Sequence, residues 1–248
     1  MRILFYNIRY GTGCGWSYHL PFPFAGFFRP ARGGTERIGA LLDDLDVDVA
    51  CLCEVDGGSY RQGGRNQARS LAPRSWNHAF SPKYGTSPLS RLPLLSTQGN
   101  AVLSRLPIVA SRENLFSRGV KRSLLEVEFP GFTVLLAHLS LGRSARKTQL
   151  EELALRCRSL DRPLLVGGDF NLLRGSQELK PLLEATGLVD ADATARPTFP
   201  SRRPTRRLDC LLTTPDVRVR TFDLPDVTLS DHLPLLCDVD IASGRDRR

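Results

Sequence analysis

The sequence has no apolar run long enough to cross a membrane, and no apolar segment with a cleavage signal follows its first residues. It also lacks a Ser/Gly/Pro-rich linker between two self-contained patterns. Helix-like and strand-like segments are interspersed along the chain, which predicts one α/β domain over residues 1–242. A basic polar tail follows at residues 243–248. We expect a monomeric, cytoplasmic protein.

Cysteine and histidine, the usual zinc ligands, are few: the chain has six cysteines and four histidines. Most of the cysteines lie in apolar runs, where a lone buried thiol is the ordinary explanation. Cys51 and Cys53 lie on one predicted strand, and we expect them to face opposite sides of the sheet. The sequence therefore argues against a zinc site. Of the histidines, His138 and His232 fall at the edges of predicted strands.

Acidic side chains are fewer than basic ones, 26 against 34, so the formal net charge is +8. Such an excess favours polyanionic partners such as nucleic acid, phosphorylated metabolites or anionic lipid headgroups, although an inert basic surface would give the same charge. Arginine supplies most of the excess, and its planar guanidinium matches phosphate oxygens. Charge alone does not choose among these partners.

Apolar runs and their periodicity divide the chain into strands, helices and two long loops. A helix capped by Thr35 and further helices at residues 146–160 and 176–185 are predicted from apolar stripes. Residues 11–34 form a loop rich in glycine, proline and aromatics, and residues 56–96 are mostly loop with one short helix. Strands are predicted at residues 3–6, 47–53, 100–103, 124–129, 132–137, 164–166, 208–212, 217–224 and 233–241.

Several predicted strands end at a residue that is capable of chemistry. In layered α/β folds, ligands gather at strand ends because the loops there converge. Any one of these residues has a simpler explanation, but their recurrence predicts a functional site. They are Asn7, Glu54, His138, Asp169 with Asn171, and Asp231 with His232.

Two of these positions suggest metal and phosphate chemistry. Glu54 offers a carboxylate, a hard oxygen ligand suited to Mg²⁺ or Mn²⁺, although a solvated acid at a strand end is equally compatible. Asp169 and Asn171 follow a buried strand and face the same way if the chain is extended. Asp169 can then accept a proton from water while Asn171 donates to a phosphate oxygen. An Asp-rich turn is the alternative.

Further candidates complete the predicted site. Asp209 begins an apolar strand, an expensive place for an unpaired acid, and is the candidate partner that orients His232. Asp231 then remains as a candidate metal ligand. Asn100 either binds phosphate or makes a turn. Three basic residues near predicted strand ends are candidate cations to balance bound phosphate, namely Lys121, Arg122 and Arg143.

These motifs resemble, in order and approximate spacing, the endonuclease/exonuclease/phosphatase superfamily. The similarity extends over nearly the whole chain, and Gly-Asp-Phe-Asn and Ser-Asp-His are its most specific parts. The matching residues are Asn7, Glu54, Gly99-Asn100, His138-Leu139, Gly168-Asp169-Phe170-Asn171, Leu208-Asp209 and Ser230-Asp231-His232.

The resemblance implies a four-layer α/β/β/α sandwich in which two mixed β-sheets pack face to face. It also implies hydrolysis of phosphodiesters or phosphomonoesters with Mg²⁺ or Mn²⁺. By motif, Glu54 is the principal metal ligand, assisted by Asn7 and Asp231. Asp169 positions or deprotonates the attacking water.

The remaining motif residues are implied to act on the phosphoryl group. Asn171 and His138 hold its oxygens. His232, oriented by Asp209, stabilises the transition state or acts as acid/base. The chain departs from some nucleases of the superfamily, which have an acid shortly after the first-strand asparagine. It also has His138 where certain DNA-repair members have a tyrosine.

The substrate stays open among several classes. Nucleic acid fits the net charge and is the leading class, through salt-sensitive phosphate contacts. A phospholipid or inositol phosphate fits the aromatic loop at residues 14–34 if that loop dips into an interface; it could equally stack on bases or fold onto the core as a lid. A small phosphorylated metabolite is also compatible. A non-catalytic phosphate-binding module is the alternative from another class.

Overall fold

Two six-stranded sheets form the centre of the protein. The computed structural model describes residues 1–15, 25–31, 33–73, 75–84, 91–120 and 122–241. The first sheet contains β1 (Arg2–Asn7), β2 (Val49–Asp56), β3 (Asn77–Pro82), β4 (Gln98–Ser104), β11 (Val217–Asp223) and β12 (Leu235–Ile241). The second contains β5 (Ala110–Leu115), β6 (Ser123–Phe129), β7 (Phe132–His138), β8 (Leu164–Asp169), β9 (Val189–Asp190) and β10 (Asp209–Thr213).

Both sheets are mixed, with one parallel pair at the centre of each. The strand orders are β11-β12-β1-β2-β4-β3 and β5-β6-β7-β8-β10-β9. Strands β1 and β2 run parallel, as do β7 and β8, and the other pairs are antiparallel. The carboxyl ends of these four central strands therefore lie at one edge of each sheet. Asn7 pairs with Cys53 at this edge of the first sheet, and His138 with Asp169 in the second.

The sheets pack face to face through an apolar layer. Ile3, Phe5 and Val102 from the first sheet meet Val134 and Leu165 from the second, all fully or almost fully buried. Such side chains alternate along each strand with residues that face outward, as strand geometry requires. Burial of this layer joins the two sheets into one unit.

Helices cover the outer face of each sheet. Helices α1 (Gly34–Asp44) and α2 (Gln67–Leu71) pack on the first sheet through residues such as Ile38 and Leu71. Helices α3 (Arg143–Arg158) and α4 (Lys180–Thr186) pack on the second through Leu153 and Leu182. The four-layer α/β/β/α sandwich implied by the sequence resemblance is confirmed.

The strands that sequence patterns missed are outermost in their sheets. β3 and β5 stand at the ends of the two strand orders, and neither shows an apolar alternation. An edge strand is held on one side only and often bears polar side chains that discourage further pairing. Its sequence therefore looks like loop: residues 77–82 fell in the loop predicted at residues 56–96, and no element was predicted at residues 110–115. The two-residue strand β9 was missed for the same reason.

Two local predictions are wrong. Thr35 does not cap α1: the residue before the helix is Gly33, with φ 65°, and the Thr35 hydroxyl donates to Gln62 inside the fold at 3.0 Å. Cys51 and Cys53 do not face opposite sides of β2. Both project into the inter-sheet layer, because residues two apart on a strand share a face.

Parts of the aromatic loop and the basic tail lie outside the described residues. Of the loop aromatics, Phe27 is described, and its ring packs edge-on against Tyr10 at 5.9 Å. Phe28, beside it, is exposed. Residues 242–248, which include the predicted tail, are not described. Among the described residues, none of the helices has the length and apolar character that a membrane crossing requires.

Candidate active site

The apolar layer between the sheets ends in polar side chains at one edge. A strand that contributes an apolar residue to this layer contributes again two positions later. In this way Phe5 is followed by Asn7 on β1, and Leu136 by His138 on β7. The buried polar residues at this end include Asn7, Asn100, His138, Asp169 and Asp209. Because unpaired buried polar groups are costly, their contacts decide what the site can do.

The Asp169 carboxylate is the centre of the cluster. Its Oδ2 accepts a hydrogen bond from Asn7 Nδ2 at 3.0 Å and lies 3.1 Å from His138 Nε2. The same oxygen is 3.9 Å from His232 Nε2. Asp169 belongs to the second sheet and Asn7 to the first, so the cluster bridges both sheets. A carboxylate between two imidazoles can orient a water and take its proton.

His232 is held by Asp209, the partner expected from the sequence. Its Nδ1 is 2.8 Å from Asp209 Oδ2, which also accepts from the Thr198 hydroxyl at 2.6 Å. Burial opposes a charge on the imidazole, but the carboxylates of Asp209 and Asp169 outweigh it and raise the pKa of His232 to about 10. The ring is therefore a cation at neutral pH. Its Nε2 proton faces Asp169.

Glu54 stands on a β-bulge at the open side of the cluster. The register between β2 and β4 shifts between Leu52 and Val55, and Glu54 has φ 57°. Bulges commonly re-aim a side chain beside a functional site. Glu54 Oε1 is 4.0 Å from His138 Nε2, and its side chain is 18% exposed against 3% for Asp169. Glu54 is the more accessible of the two carboxylates.

Lys83 and Tyr10 join the site although sequence reasoning missed both. Lys83 Nζ lies 3.0 Å from Glu54 Oε1 and 3.0 Å from the Tyr10 hydroxyl, which donates to Gln98 at 2.6 Å. Burial opposes the charge on Lys83, but Glu54 and Tyr10 raise its pKa above the ordinary value. The lysine is therefore a permanent cation beside Glu54. No sequence pattern distinguishes Lys83 from the other basic residues, because it follows β3, an edge strand that the sequence did not predict.

Asp231 lies at the rim, engaged by an arginine. Its Oδ2 is 3.2 Å from Arg9 Nη1, and its side chain is 22% exposed. The backbone N–H of Arg9 donates to Asn7 Oδ1 at 3.1 Å. Some nucleases of the superfamily that the sequence resembles have an acid shortly after the first-strand asparagine, where this chain has Arg9. The arginine makes this rim more positive.

Asn171 is close to Asp169 but not in the way the sequence predicted. The strand ends at Asp169, and Asn171 has φ 50°, so the two side chains do not share a face as in an extended chain. That expectation is wrong. The Asn171 N–H donates to Asp169 Oδ1 at 3.1 Å, and its side-chain amide donates to the Leu139 carbonyl at 2.9 Å. Asn171 fixes the loop and the Asp169 carboxylate.

Asn100 and Arg143 were predicted together as substrate-binding residues, and the structure separates them. Asn100 is 1% exposed on β4, and neither of its side-chain amide atoms has a hydrogen-bond partner among the described residues. Arg143 is exposed at the start of α3. There it lines a groove between α3 and α4, together with Leu150 and Pro181, on the outer helical layer. Among the described residues, Arg143 has no hydrogen bond or ion pair with a residue of the cluster, and its role in substrate binding stays a prediction.

Backbone strain concentrates around the cluster. Of the seven non-glycine residues with positive φ in the described part of the chain, four are Arg9, Tyr10, Glu54 and Asn171. Residues in this region cost free energy and persist where the surroundings hold them. Gly168 has φ 129°, and a Cβ there would lie 2.1 Å from the Ala137 carbonyl oxygen. The glycine thus allows close approach of β7, which places His138 beside Asp169.

Two groups of side chains could hold a cation. Within the described ranges, Asp169, Asp209 and His232 offer ligand atoms within 4.8 Å of one another. Asp209 Oδ2 and His232 Nδ1 already bond each other, so we interpret this group as an acid–histidine pair. Glu54 has a more exposed carboxylate oxygen at the mouth of the site. Oxygen donors of this kind suit a hard divalent ion.

Comparison with known proteins agrees with this fold. The sequence matches the model of the Endonuclease/Exonuclease/phosphatase family over residues 4–232. An endonuclease/exonuclease/phosphatase from Beutenbergia cavernae superposes with a TM-score of 0.73 at 20% identity, covering 98% of this chain and 72% of that one. A conserved protein of unknown function from Enterococcus faecalis gives 0.70 at 20% identity, covering 98% and 100%.

A third similar structure is the mannosyl-6-phosphatase of Bacteroides thetaiotaomicron, with a TM-score of 0.68, 16% identity and coverage of 97% and 100%. At these identities a structural similarity shows the fold alone. None of the curated proteins matches the sequence significantly.

The fold, with its carboxylate–histidine cluster where two sheets meet, is that of a phosphoester hydrolase. The family match covers all of the cluster residues, from Asn7 to His232. The chain belongs to the endonuclease/exonuclease/phosphatase family, and the resemblance drawn from the sequence is confirmed. Members of this family hydrolyse phosphate esters and typically depend on a divalent metal ion.

Proposed function

We propose that the protein hydrolyses phosphodiester bonds with Mg²⁺ or Mn²⁺ and that nucleic acid is its leading substrate class. The observation that supports this most is the position of Asp169 between two histidines, 3.1 Å from His138 Nε2 and 3.9 Å from His232 Nε2. A base and a cationic acid within reach of one phosphorus atom are what in-line hydrolysis requires. The residue roles below are part of the proposal.

Asp169 orients a water molecule and accepts its proton as the water oxygen bonds to phosphorus. The opposite phosphorus–oxygen bond breaks, and His232 gives its Nε2 proton to the departing oxygen or neutralises its charge. His138 and Asn100 donate to the non-bridging oxygens. Asp209 keeps His232 protonated, since its carboxylate contributes to the raised pKa of the imidazole.

The donor set at the mouth fits a hard divalent ion. Glu54 would hold it, with Asn7 and Asp231 as further oxygen donors. Such an ion would neutralise charge on the phosphoryl oxygens. Lys83 stabilises the Glu54 carboxylate at 3.0 Å and supplies a second positive charge on the same side. A cytoplasmic location and a monomeric state stay predictions from the sequence.

Hydrolysis of bis-p-nitrophenyl phosphate tests the proposal. We expect turnover with Mg²⁺ or Mn²⁺, none with EDTA, and loss of at least about 10²-fold in Glu54→Gln and His232→Ala. Glu184→Gln, an exposed acid on α4, is the matched control and should act like the wild type. Turnover that persists in EDTA or in Glu54→Gln would contradict the proposed metal-dependent mechanism.

A further inference from the structure

A short hairpin over residues 198–207 is built directly onto the catalytic histidine. The Phe199 ring packs against the His232 ring at 5.0 Å. The Ser201 N–H donates to the Asp231 carbonyl at 2.7 Å, and its hydroxyl donates to the Ser230 carbonyl at 2.6 Å. These bonds fix the hairpin on the Ser-Asp-His segment. The hairpin therefore lies beside Asp231 and His232 at the mouth of the site.

Three arginines on this hairpin are exposed: Arg202, Arg203 and Arg206. Their side chains have no ion-pair partner among the residues that the structure describes. Two other arginines of the same region are neutralised, because Arg207 pairs with Asp190 at 2.7 Å and Arg196 pairs with Asp192 at 3.3 Å.

The nearest acid on the catalytic segment is also engaged. Asp231 pairs with Arg9 at 3.2 Å. The positive charge of the three hairpin arginines is therefore not offset by the acids of residues 190, 192 and 231. A local excess of this size attracts anions to the mouth of the site.

The three arginines are spread along the hairpin. At the base of the hairpin, the backbone of Arg206 forms an antiparallel β-bridge with Phe199, which lies beside His232. Residues 202 and 203 occupy the turn. At about 3.3 Å per residue, base and turn are separated by at most roughly 10 Å. One phosphate at the cluster would leave these guanidinium groups unused. An extended chain of phosphates would meet them in succession.

We propose that this hairpin binds the phosphates next to the scissile one, so that the preferred substrate is a nucleic-acid strand. The inference depends on the proposed phosphodiester hydrolysis. Arginine suits this task because its guanidinium can bond two phosphate oxygens at once. A lipid surface is less favoured, since none of the exposed large apolar side chains in the described residues belongs to residues 198–207. Insertion into a bilayer needs such a side chain.

The test compares wild type with the triple variant Arg202→Gln/Arg203→Gln/Arg206→Gln on two substrates. Bis-p-nitrophenyl phosphate has no neighbouring phosphate, whereas a 12-nucleotide single strand has several. On the first substrate we expect kcat/KM within twofold of wild type. On the oligonucleotide we expect a loss of about 10- to 100-fold near 100 mM salt, mainly in KM.

Binding of the same labelled strand, followed by fluorescence anisotropy in EDTA, gives a readout that needs no turnover. The slope of log Kd against log salt should fall by about 2, at roughly 0.7 for each phosphate of a single strand that the variant no longer neutralises. The corresponding Arg→Lys triple variant should keep most of the slope, because it keeps the charges. Arg158→Gln/Arg218→Gln is the control: α3 ends at the first, and the second lies opposite Asp240 at the far end of β12, away from the site.

Unchanged oligonucleotide binding in the triple Gln variant would overturn the inference. An equal loss on both substrates would also overturn it, since the hairpin would then act through His232. Arginine-dependent binding to phosphatidylserine vesicles without binding to the strand would assign the surface to a membrane instead. Absence of bis-p-nitrophenyl phosphate hydrolysis in the wild type is a separate result that refutes the proposed function.

Discussion

Single buried charges set the chemistry of this site. His232 is a cation because Asp209 and Asp169 outweigh the cost of burying it. Lys83 is a cation for a similar reason, beside Glu54. The site therefore presents two fixed positive groups around the carboxylate of Asp169, at 3.9 Å in the case of His232 Nε2. Replacing a carboxylate beside either cation should therefore change the protonation of that cation.

Replacing Asp209 by asparagine should lower the pKa of His232 and reduce kcat. The carboxylate that favours the imidazolium is removed, so the ring loses its proton at a lower pH than in the wild type. Since the proposed mechanism uses the protonated ring, the alkaline limb of the pH–rate profile should move to lower pH, with kcat reduced about 10²- to 10⁴-fold. An alkaline limb that stays in place would contradict this role for Asp209.

Replacing Asn100 by leucine should separate stability from activity. The buried amide lacks partners among the described residues, and burial without partners costs about 1–3 kcal/mol. We expect the leucine variant to be at least as stable as the wild type in thermal unfolding. Activity should fall about tenfold or more, because the variant cannot donate a hydrogen bond to a charged phosphate. A destabilised variant with full activity would show that Asn100 is structural.

Sequence motifs predicted most of the cluster but not the residues around it. Asn7, Glu54, His138, Asp169, Asp209 and His232 each stand in a recognisable motif. Lys83 and Tyr10 do not, because their places depend on an edge strand and on backbone strain that no local pattern encodes. Substrate binding by Arg143 stays a prediction, since nearness in sequence to a strand end does not give the direction of the following helix.

At the scale of secondary structure, the site depends on how closely central strands approach each other. Strands β7 and β8 pair so that His138 lies opposite Asp169. Gly168 lies within that pair, one residue before Asp169. The central strands were predicted because they are buried on both faces and read as apolar runs. The edge strands β3 and β5 were not, since solvent on one side lets them carry polar residues.

Gly168→Ala should destabilise the β7–β8 pair and abolish activity. Its Cβ would lie 2.1 Å from the Ala137 carbonyl oxygen, so the strands must separate. We expect a loss of about 3 kcal/mol or more of unfolding free energy in denaturant titration. Gly131→Ala is the matched control: φ is also positive, at 90°, but nothing lies within 4 Å of the new Cβ. The control should lose only about 1–2 kcal/mol for its backbone conformation.

At the scale of the whole molecule, the site lies where the two sheets meet and takes residues from both. Glu54 and Asn7 belong to the first sheet, whereas His138, Asp169 and Asp209 belong to the second. A ligand held by both groups binds the folded state and not the unfolded chain. It therefore stabilises the entire domain and not one loop.

Mg²⁺ or Mn²⁺ should raise the midpoint of thermal unfolding. At 100 times Kd, binding adds about 2.7 kcal/mol, which corresponds to roughly 5–10 °C for a chain of this size. Glu54→Gln should remove this shift, and Glu184→Gln should keep it. Differential scanning fluorimetry with and without each ion measures the effect. An equal shift in Glu54→Gln would place the ion elsewhere.

The position of β1 has a consequence for how the protein is made. This strand lies between β2 and β12, and the first residue donates its terminal amine to the Val239 carbonyl at 3.0 Å. A ribosome releases β1 first and β12 last of these strands, so the first sheet cannot close until β12 has been synthesised. Likewise, Asn7 and His232 cannot come together in the cluster until His232 has been synthesised. The cluster that we propose to be catalytic is thus incomplete until residues 1–232 have been synthesised.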